Sequence, residues 1–245
     1  MPTTATIDAD DIARFQAVAA SWWDENGPFR PLHRLNPARV SFIRDTLNRH
    51  FGRDDHSPHP LVGLRLLDAG CGGGLVAEPM ARLGATVTGL DAAAETVSVA
   101  RAHAAGGGLE IDYRQGGIEE LTADRSFDAI LALEVIEHVA DADRFLQECR
   151  RLIADQGVLI LSTLNQTMKA YLLGIVAAEY VLRWLPQGTH DWQKFKKPSA
   201  LAHALERAGF RLTGLQGLVY RPFSDSWELS PRDLSVNYFA VATPV

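Results

Sequence analysis

The sequence lacks the features of a secreted, membrane-spanning or nucleic-acid-binding protein. It contains only two cysteines, Cys71 and Cys149, among 245 residues, which is too few for a disulfide framework and fits a reducing cytosol. The acidic N-terminus has no apolar core of a secretory signal, so we expect no secretion. No uninterrupted apolar run is long enough to cross a bilayer. The formal net charge of −6 argues against a nucleic-acid partner.

The composition that remains is that of a globular α/β protein. Hydrophobic residues make up 47% and charged residues 22% of the chain, which is ordinary for a folded domain. Apolar strand-like runs alternate with helical patterns through the middle of the chain, and this alternation predicts a doubly wound, mostly parallel sheet. We predict one domain over residues 1–245, with a helical N-terminal flap (1–60), a cofactor-binding core (61–163), an insertion (164–197) and a final helix with an antiparallel strand pair (198–245). The predicted sheet has seven strands.

The region that organises the chain is a β-α-β unit at residues 64–91. Its first strand ends in the pattern D-x-G-x-G-x-G, which begins at Asp68, and Asp91 closes its second strand. Such a turn offers backbone N–H groups to a ligand, and the second acidic residue can accept bonds from ribose hydroxyls. A dinucleotide fingerprint needs glycine or alanine where Leu75 stands, which weakens the alternative of a nicotinamide-dependent oxidoreductase. The unit resembles motif I of class I S-adenosylmethionine-dependent methyltransferases.

That resemblance implies a Rossmann-like fold with S-adenosylmethionine as cofactor and S-adenosylhomocysteine as product. The acidic residue after the second strand would hold the ribose, the loop after the third strand would meet the adenine, and the end of the fourth strand would face the cofactor. The predicted cofactor-binding residues are Arg39, Asp68, Gly70, Gly72, Asp91, Ala92, Gly117, Ile118 and Leu133.

The segment at residues 21–39 combines tryptophans, prolines and basic residues. Its prolines favour an extended, turn-rich path, with a helix resuming at Val40. One interpretation is a flap that covers a sheet edge. The other is a lid over the pocket, in which Arg39 pairs with the cofactor carboxylate.

The segment EVIEHV after the fourth strand holds the candidate catalytic groups. Glu134, Glu137 and His138 share one face if this turn is helical. They then either bind Mg²⁺ or another divalent cation, or supply a general base that deprotonates a hydroxyl group. We favour His138 as the base, with Glu137 beside it, over the metal. A plain solvated helix start is the alternative without catalytic function.

The insertion at residues 164–197 is longer than a connection needs. Its part at 168–185 is almost continuously apolar, and Lys194, Lys196 and Lys197 follow together with two aromatic residues. It is a core helix, a lid over an apolar substrate, or an interfacial segment in contact with lipid. His190, in the same insertion, is a second candidate base or a loop-ordering residue.

Three blocks together are similar to the UbiG family of ubiquinone-biosynthesis O-methyltransferases. They are WWD followed by G-x-F-x-P-L-H-R-x-N-P-x-R, then L-D-x-G-C-G-G-G, then STLN with AEYVLRWLP-x-GTHD and KF-x-KP. The resemblance implies methyl transfer to a phenolic hydroxyl of a polyprenylated catechol (2-polyprenyl-6-hydroxyphenol) or of 3-demethylubiquinol.

The resemblance also implies a place in the cell and partners. A cytoplasmic enzyme would meet the isoprenoid tail at the inner face of the membrane through residues 168–197, and other ubiquinone-biosynthesis enzymes are candidate partners. The alternatives are a methyltransferase for another lipid or phenol and a non-catalytic membrane-associated scaffold.

Overall fold

A computed structural model describes residues 6, 16, 18–122, 126–171, 192–221 and 224–245. Five helices longer than five residues lie in these ranges: α1 Arg30–Phe51, α2 Ala77–Arg82, α3 Ala94–Gly106, α4 Ala142–Leu152 and α5 Pro198–Arg207. The strands are β1 Arg65–Ala69, β2 Thr86–Asp91, β3 Asp112–Gln115, β4 Phe127–Leu133, β5 Ile153–Leu164, β6 Phe210–Arg221, β7 Ser226–Ser230 and β8 Asn237–Pro244. Short helical turns are Ala19–Ser21, Ile118–Glu120, Met168–Ala170 and Trp192–Lys194.

The strands form one sheet in the order β3-β2-β1-β4-β5-β8-β6-β7. The pairs among the first five strands are parallel, and β8 is antiparallel to both β5 and β6. The order reverses between β1 and β4, which is the point where open α/β sheets bind ligands at their strand carboxyl ends. The predicted fold class is confirmed.

The sheet has eight strands rather than the predicted seven. The additional strand is β7, which pairs with β6 from Gly217↔Ser230 to Arg221↔Ser226 in a region predicted to be a polar loop. Its sequence, SWELS, shows little alternation of apolar and polar residues. In the structure Trp227 is half-buried, whereas Glu228 and Leu229 are exposed. The strand is stabilised by the ladder to β6 and by packing of Trp227 against the core, neither of which is visible in a period-2 pattern.

The sheet buries apolar side chains on both faces, as a doubly wound fold requires. Leu66 and Leu131 lie in the cluster that includes α1, α2 and α3, whereas Leu67 and Ile130 lie in the cluster that includes α4 and α5. Neighbouring residues along a strand point to opposite faces, so these central strands are apolar throughout.

The N-terminal flap contradicts the predicted extended path. Helix α1 begins at Arg30 and continues to Phe51, through the Asn-Pro that was expected to exclude a helix before Val40. Pro31 lies in the first turn, where its missing N–H costs nothing. Pro37 is inside the helix and leaves one carbonyl without its usual donor; burial of Leu35, Ile43 and Leu47 outweighs this cost.

Pro79 occupies the third position of α2, where no intrahelical N–H is needed. Most of the apolar segment 168–185 lies outside the described residues. No helix in the described ranges is long and apolar enough to span a membrane.

Candidate active site

A cavity of about 220 Å³ lies at the carboxyl ends of β1, β2 and β4. It is lined by all nine predicted cofactor-binding residues: Arg39, Asp68, Gly70, Gly72, Asp91, Ala92, Gly117, Ile118 and Leu133. Glu134 and His138 line it as well. Residues that are distant in the sequence are therefore brought to one site, although their individual roles stay predictions.

Two glycines of the glycine-rich turn allow other side chains of the protein to pack closely against its backbone. Gly70 has φ +75° and Gly72 has φ +54°, a region that favours glycine. A Cβ at Gly70 would collide with Val135, and one at Gly72 would collide with the ring of Trp22. The turn is therefore packed between the segment after β4 and the N-terminal flap.

Asp91 is held by two backbone donors at the end of β2. Its Oδ2 accepts from the Gly72 N–H at 2.9 Å, and its Oδ1 accepts from the Ala93 N–H at 2.9 Å. Burial raises the pKa of this carboxyl above its usual value, while the two N–H groups act to lower it. Each carboxylate oxygen has a further lone pair, so the group can still accept bonds from a ligand's hydroxyls.

Arg39 and Asp68 place unpartnered polar atoms in the cavity wall. Arg39 is 4% and Asp68 is 2% exposed. Within the described residues, Arg39 Nε and Nη2 and Asp68 Oδ2 have no hydrogen-bond partner. Such orphaned groups are costly when buried. A guanidinium and a carboxyl arranged in this way fit a ligand that carries both a carboxylate and an ammonium group, as S-adenosylmethionine does.

The pKa of Asp68 is raised to about 7. Burial is the main cause; the charge of Arg39 acts to lower the pKa and that of Asp91 to raise it further. At neutral pH this carboxyl is therefore only partly ionised.

Glu134 lies between Arg39 and the ends of β5 and β8. Its Oε1 is 3.2 Å from Arg39 Nη2 and accepts from Ser162 Oγ at 2.6 Å. Asn237 Nδ2 approaches the same oxygen at 3.5 Å. The residue has φ +56°, which is uncommon for a side chain of this size.

The expectation that Glu134, Glu137 and His138 share a helix face is wrong. Glu134 is left-handed and the residues after it form a turn, so the segment is not the helix that one shared face requires. Glu137 is 3% exposed, and its Oε2 accepts from Thr163 Oγ1 at 2.8 Å. Across the described parts of the chain, no group of three His, Cys, Asp or Glu side chains is arranged to hold a metal ion.

The Glu137 carboxyl is nevertheless unusually basic. Burial raises its pKa, and the neighbouring charge of Glu134 raises it further. Its Oε1 is buried and has no hydrogen-bond partner among the residues described. Glu137 lies behind the cavity wall, whereas His138 lines the cavity itself.

The two tryptophans of the flap cover the glycine-rich turn. Trp22 is 7% exposed and lines the cavity. Trp23 Nε1 donates to the Gly73 carbonyl at 2.9 Å, and its ring stacks on His103 with centroids 3.4 Å apart. The flap is therefore fixed directly to the turn, which favours the lid interpretation over a simple edge cover.

Thr6 contributes to the cavity in a way that the sequence did not indicate. Its N–H and Oγ1 donate to the two carboxylate oxygens of Glu119 at 3.0 and 2.6 Å, and its carbonyl accepts from the Ala140 N–H at 2.9 Å. Nothing in the local pattern around Thr6 distinguishes it from other N-terminal polar residues. His190, the second candidate base, lies outside the described residues.

Comparison with known sequences gives consistent results. A family model described as "Methyltransferase domain" matches residues 67–161. A ubiquinone biosynthesis O-methyltransferase of Dinoroseobacter shibae is 52% identical over 236 residues, which cover 96% of this chain and 95% of that protein. The protein of the same name from Azorhizobium caulinodans is 50% identical over 245 residues, covering 100% and 96%.

Comparison with solved structures supports the fold. A magnesium protoporphyrin IX methyltransferase from Synechocystis with bound S-adenosylhomocysteine has a TM-score of 0.64 at 20% identity, covering 96% of this chain and 94% of that one. An S-adenosylmethionine-dependent methyltransferase from Thermotoga maritima has a TM-score of 0.66 at 17% identity, with 94% and 98% covered.

Proposed function

The chain belongs to the family of ubiquinone biosynthesis O-methyltransferases, and from this premise we propose which of its groups serve the methyl donor and which serve the acceptor. It is an S-adenosylmethionine-dependent O-methyltransferase. The resemblance seen in the motifs is confirmed, and the nicotinamide-dependent alternative is set aside. The substrate of such an enzyme is a polyprenylated phenolic compound.

We propose that the acceptors are the hydroxyl of a 2-polyprenyl-6-hydroxyphenol and that of 3-demethylubiquinol. Both are catechol-like oxygens ortho to another oxygen on the ring. One pocket that recognises this arrangement serves both.

The observation that carries the cofactor assignment is the set of orphaned buried atoms at one end of the cavity. Arg39 Nε and Nη2 fit a carboxylate and Asp68 Oδ2 fits an ammonium group, while Asp91 serves the ribose hydroxyls. Gly117 and Ile118, which line the cavity, would contact the adenine, and Leu133 would contact the cofactor from the end of β4. When bound, the cofactor supplies an electrophilic methyl group on a sulfonium.

The work left to the protein is positioning, exclusion of water and removal of one proton. Trp22 and Thr6 close the cavity over the glycine-rich turn and the loop after β3, and this keeps water from the methyl group. A phenol has a pKa of about 10, so its oxygen needs a base in order to attack efficiently at neutral pH. His138, which lines the cavity, is the proposed base; the buried Glu137 behind it stabilises the positive charge that His138 then carries.

Two other routes to the phenolate remain proposals. His190 is the alternative base. A divalent cation such as Mg²⁺, bound through Glu134, Glu137 and His138, would polarise the hydroxyl instead, but among the described residues these three side chains are not arranged to hold a metal ion.

The test is a methyl-transfer assay with labelled S-adenosylmethionine and two short-tailed acceptors, a catechol and a demethylated quinol. We expect label in both products with Mg²⁺ and with EDTA alike. Loss of transfer in EDTA, restored by Mg²⁺, would replace the base mechanism with the metal mechanism. Binding of S-adenosylhomocysteine without transfer to either acceptor would favour the scaffold.

The roles of single residues are separated by binding and turnover. His138→Gln should lower kcat by about a hundredfold or more, as for loss of a general base, with unchanged affinity for S-adenosylhomocysteine. His190→Gln is the matched comparison. If only His190→Gln lowers kcat, the proton acceptor lies in the insertion.

We also propose that residues 168–197 contact the membrane that holds the isoprenoid tail. The described ends of this segment support the proposal. Met168 is 66% and Tyr171 is 39% exposed at its beginning, and Lys196 and Lys197 stand at its end. Aromatic and basic side chains of this kind favour the lipid headgroup level. A cytoplasmic location at the inner face of the membrane, and contact with other enzymes of ubiquinone biosynthesis, are part of the same proposal.

Binding to vesicles that contain anionic lipid tests this contact. Lys196→Glu with Lys197→Glu should reduce binding several-fold, at about 1 kcal/mol per basic residue near the surface. The control is Arg49→Glu with Arg211→Glu, which changes the charge equally at two exposed sites in α1 and β6. Equal binding by both double variants would contradict the membrane contact.

A further inference from the structure

Glu134 is held in place by groups other than Arg39. Its backbone N–H donates to the Ser162 carbonyl at 3.0 Å and lies 3.2 Å from Ser162 Oγ. Its carboxylate accepts from Ser162 Oγ, and Asn237 Nδ2 lies near the same oxygen. A left-handed conformation at such a residue persists only where its surroundings determine it. The ends of β5 and β8 provide those surroundings.

Arg39, in contrast, has few polar contacts of its own. Its side chain is 5% exposed, and Glu134 Oε1 is 3.2 Å from its Nη2. Neither Nε nor Nη2 has a hydrogen-bond partner within the described residues. These two nitrogens form one edge of the guanidinium, which is the edge that binds a carboxylate bidentately. Glu134 therefore supplies a charge to this edge without occupying it fully.

Two carboxylates compete for this one edge of Arg39. The proposed function assigns the edge to the cofactor's carboxylate, and the inference rests on that assignment. Arg39 and Glu134 form an ion pair in which the Arg39 side chain is almost fully buried. If Arg39 pairs with the cofactor's carboxylate instead, Glu134 loses the positive charge beside it. Ser162 and Asn237 keep Glu134 in position during this exchange.

We propose that Arg39 exchanges Glu134 for the cofactor's carboxylate, and that Glu134 is thereby made available to the hydroxyl ortho to the one that His138 deprotonates. Glu134 then keeps two neutral hydrogen-bond donors but loses its cationic partner, so it becomes a stronger acceptor of a hydrogen bond from that second hydroxyl. Binding of the cofactor thus prepares the acceptor site. By linkage, each ligand raises the affinity for the other.

The first test compares two ligands by calorimetry in EDTA. S-adenosylhomocysteine carries the amino-acid carboxylate, and 5′-methylthioadenosine lacks it. Glu134→Gln removes the competing charge but keeps the carbonyl oxygen that Ser162 binds. We expect S-adenosylhomocysteine to bind this variant about fivefold more tightly or better, which is the lower range of typical coupling, with methylthioadenosine unchanged. Glu110→Gln, at an exposed position, is the matched control.

The second test measures the coupling itself. A short-tailed catechol should bind the wild-type protein more tightly when S-adenosylhomocysteine is saturating, and Glu134→Gln should remove this difference. Weaker or equal binding of S-adenosylhomocysteine by Glu134→Gln would overturn the inference, and so would an unchanged coupling.

The premise is tested separately with Arg39→Ala. A loss of affinity for S-adenosylhomocysteine but not for methylthioadenosine supports the assignment of Arg39. If that variant binds both ligands as the wild type does, the cofactor assignment in the proposed function fails together with the inference. If Arg39→Ala loses affinity while Glu134→Gln does not gain it, only the exchange is wrong.

Discussion

Asp68 has a raised pKa that bears on ligand binding. Its carboxyl is buried beside Arg39 and titrates at about 7 instead of 3.8. A raised carboxyl pKa means that the folded, ligand-free protein binds a proton that the unfolded chain releases. Its contribution to stability is therefore present at low pH and falls as the pH rises from 3.8 toward 7.

Affinity for S-adenosylhomocysteine should change with pH in the opposite direction and rise as Asp68 loses its proton. Only ionised Asp68 attracts the ligand's ammonium group, so the association constant should rise by about tenfold per pH unit below 7 and level off above it. Calorimetry between about pH 5.5 and 8 measures the profile. The profile should be flat for methylthioadenosine, which has no ammonium group.

The control for this pH dependence is Asp68→Asn, which cannot ionise. It should bind S-adenosylhomocysteine weakly at every pH. The same slope in this variant would assign the titration to another group.

Single residues differ in how far the sequence predicts them. Asp91 and the glycines of the turn stand in a strand-turn-helix pattern whose geometry is local, so they could be named from the residues themselves. Gly117, Ile118 and Leu133 were named from the resemblance to class I methyltransferases. Thr6 and Ser162 meet the site only through tertiary contacts, and no local pattern marks them. The pattern E-x-x-E-H is compatible with a helical turn and does not reveal the left-handed backbone of Glu134, which the bonds to Ser162 hold in place.

At the scale of elements, α1 connects the flap to the glycine-rich turn. Asn36 Nδ2 donates to the Leu75 carbonyl at 2.6 Å, at the beginning of the segment that leads into α2. Three residues further along α1, Arg39 reaches the cavity. A shift of α1 would therefore move the guanidinium and the turn relative to each other.

Asn36→Ala should weaken binding of S-adenosylhomocysteine as well as stability. Loss of one buried hydrogen bond should lower the free energy of unfolding by about 1 kcal/mol, and release of the turn should raise the dissociation constant several-fold. Denaturation in urea and calorimetry measure the two effects.

Asn48 provides a matched comparison in the same helix. It is 2% exposed, and its Nδ2 donates to Asp55 Oδ1 at 2.8 Å, far from the cavity. Asn48→Ala should reduce stability by a similar amount and leave ligand affinity unchanged. If both variants lose affinity alike, the effect of Asn36 is general destabilisation and α1 does not position the turn.

The elements that the sequence predicted least well are those with mixed signals. The Asn-Pro in α1 suggests an end to a helix, but the apolar stripe on both sides continues and is buried against the sheet. Strand β7 has neither an apolar face nor a strong turn before it, and its partner β6 decides its conformation. The parallel strands were predictable because each is a short apolar run bounded by glycine or acidic residues.

At the scale of the molecule, the cavity joins parts of the chain that are far apart in sequence. It is lined from Thr6 to Phe145, and Asn237 reaches Glu134 from the last strand. Ligand binding should therefore stabilise the whole fold. At a hundred times the dissociation constant, S-adenosylhomocysteine should add about 2.7 kcal/mol to the free energy of unfolding.

For a chain of this size that free energy corresponds to a rise in Tm of about 5–10 °C. Thermal unfolding followed by circular dichroism measures it. Asp91→Ala, which lacks the proposed contact with the ribose, should show little or no rise at the same ligand concentration. A full rise in Asp91→Ala would remove the ribose role of Asp91.

The overall architecture was predictable because alternation of strands and helices restricts the topology to a few right-handed arrangements. The position of the flap was not predictable, since it depends on which face of the sheet the tryptophans and α1 pack against in the folded chain. The insertion was recognised from its composition alone, and composition does not show whether it packs against the core, the substrate or lipid.

The contacts of Thr6 have a consequence for how the cavity wall becomes ordered. Thr6 and Glu119 are 113 positions apart, yet closing a long loop costs little more entropy than closing a shorter one. The stabilising free energy comes from three hydrogen bonds of Thr6 to two separate loops. These bonds form only when both loops are in their folded positions. Ordering of Thr6 and ordering of the cavity wall are therefore one cooperative event.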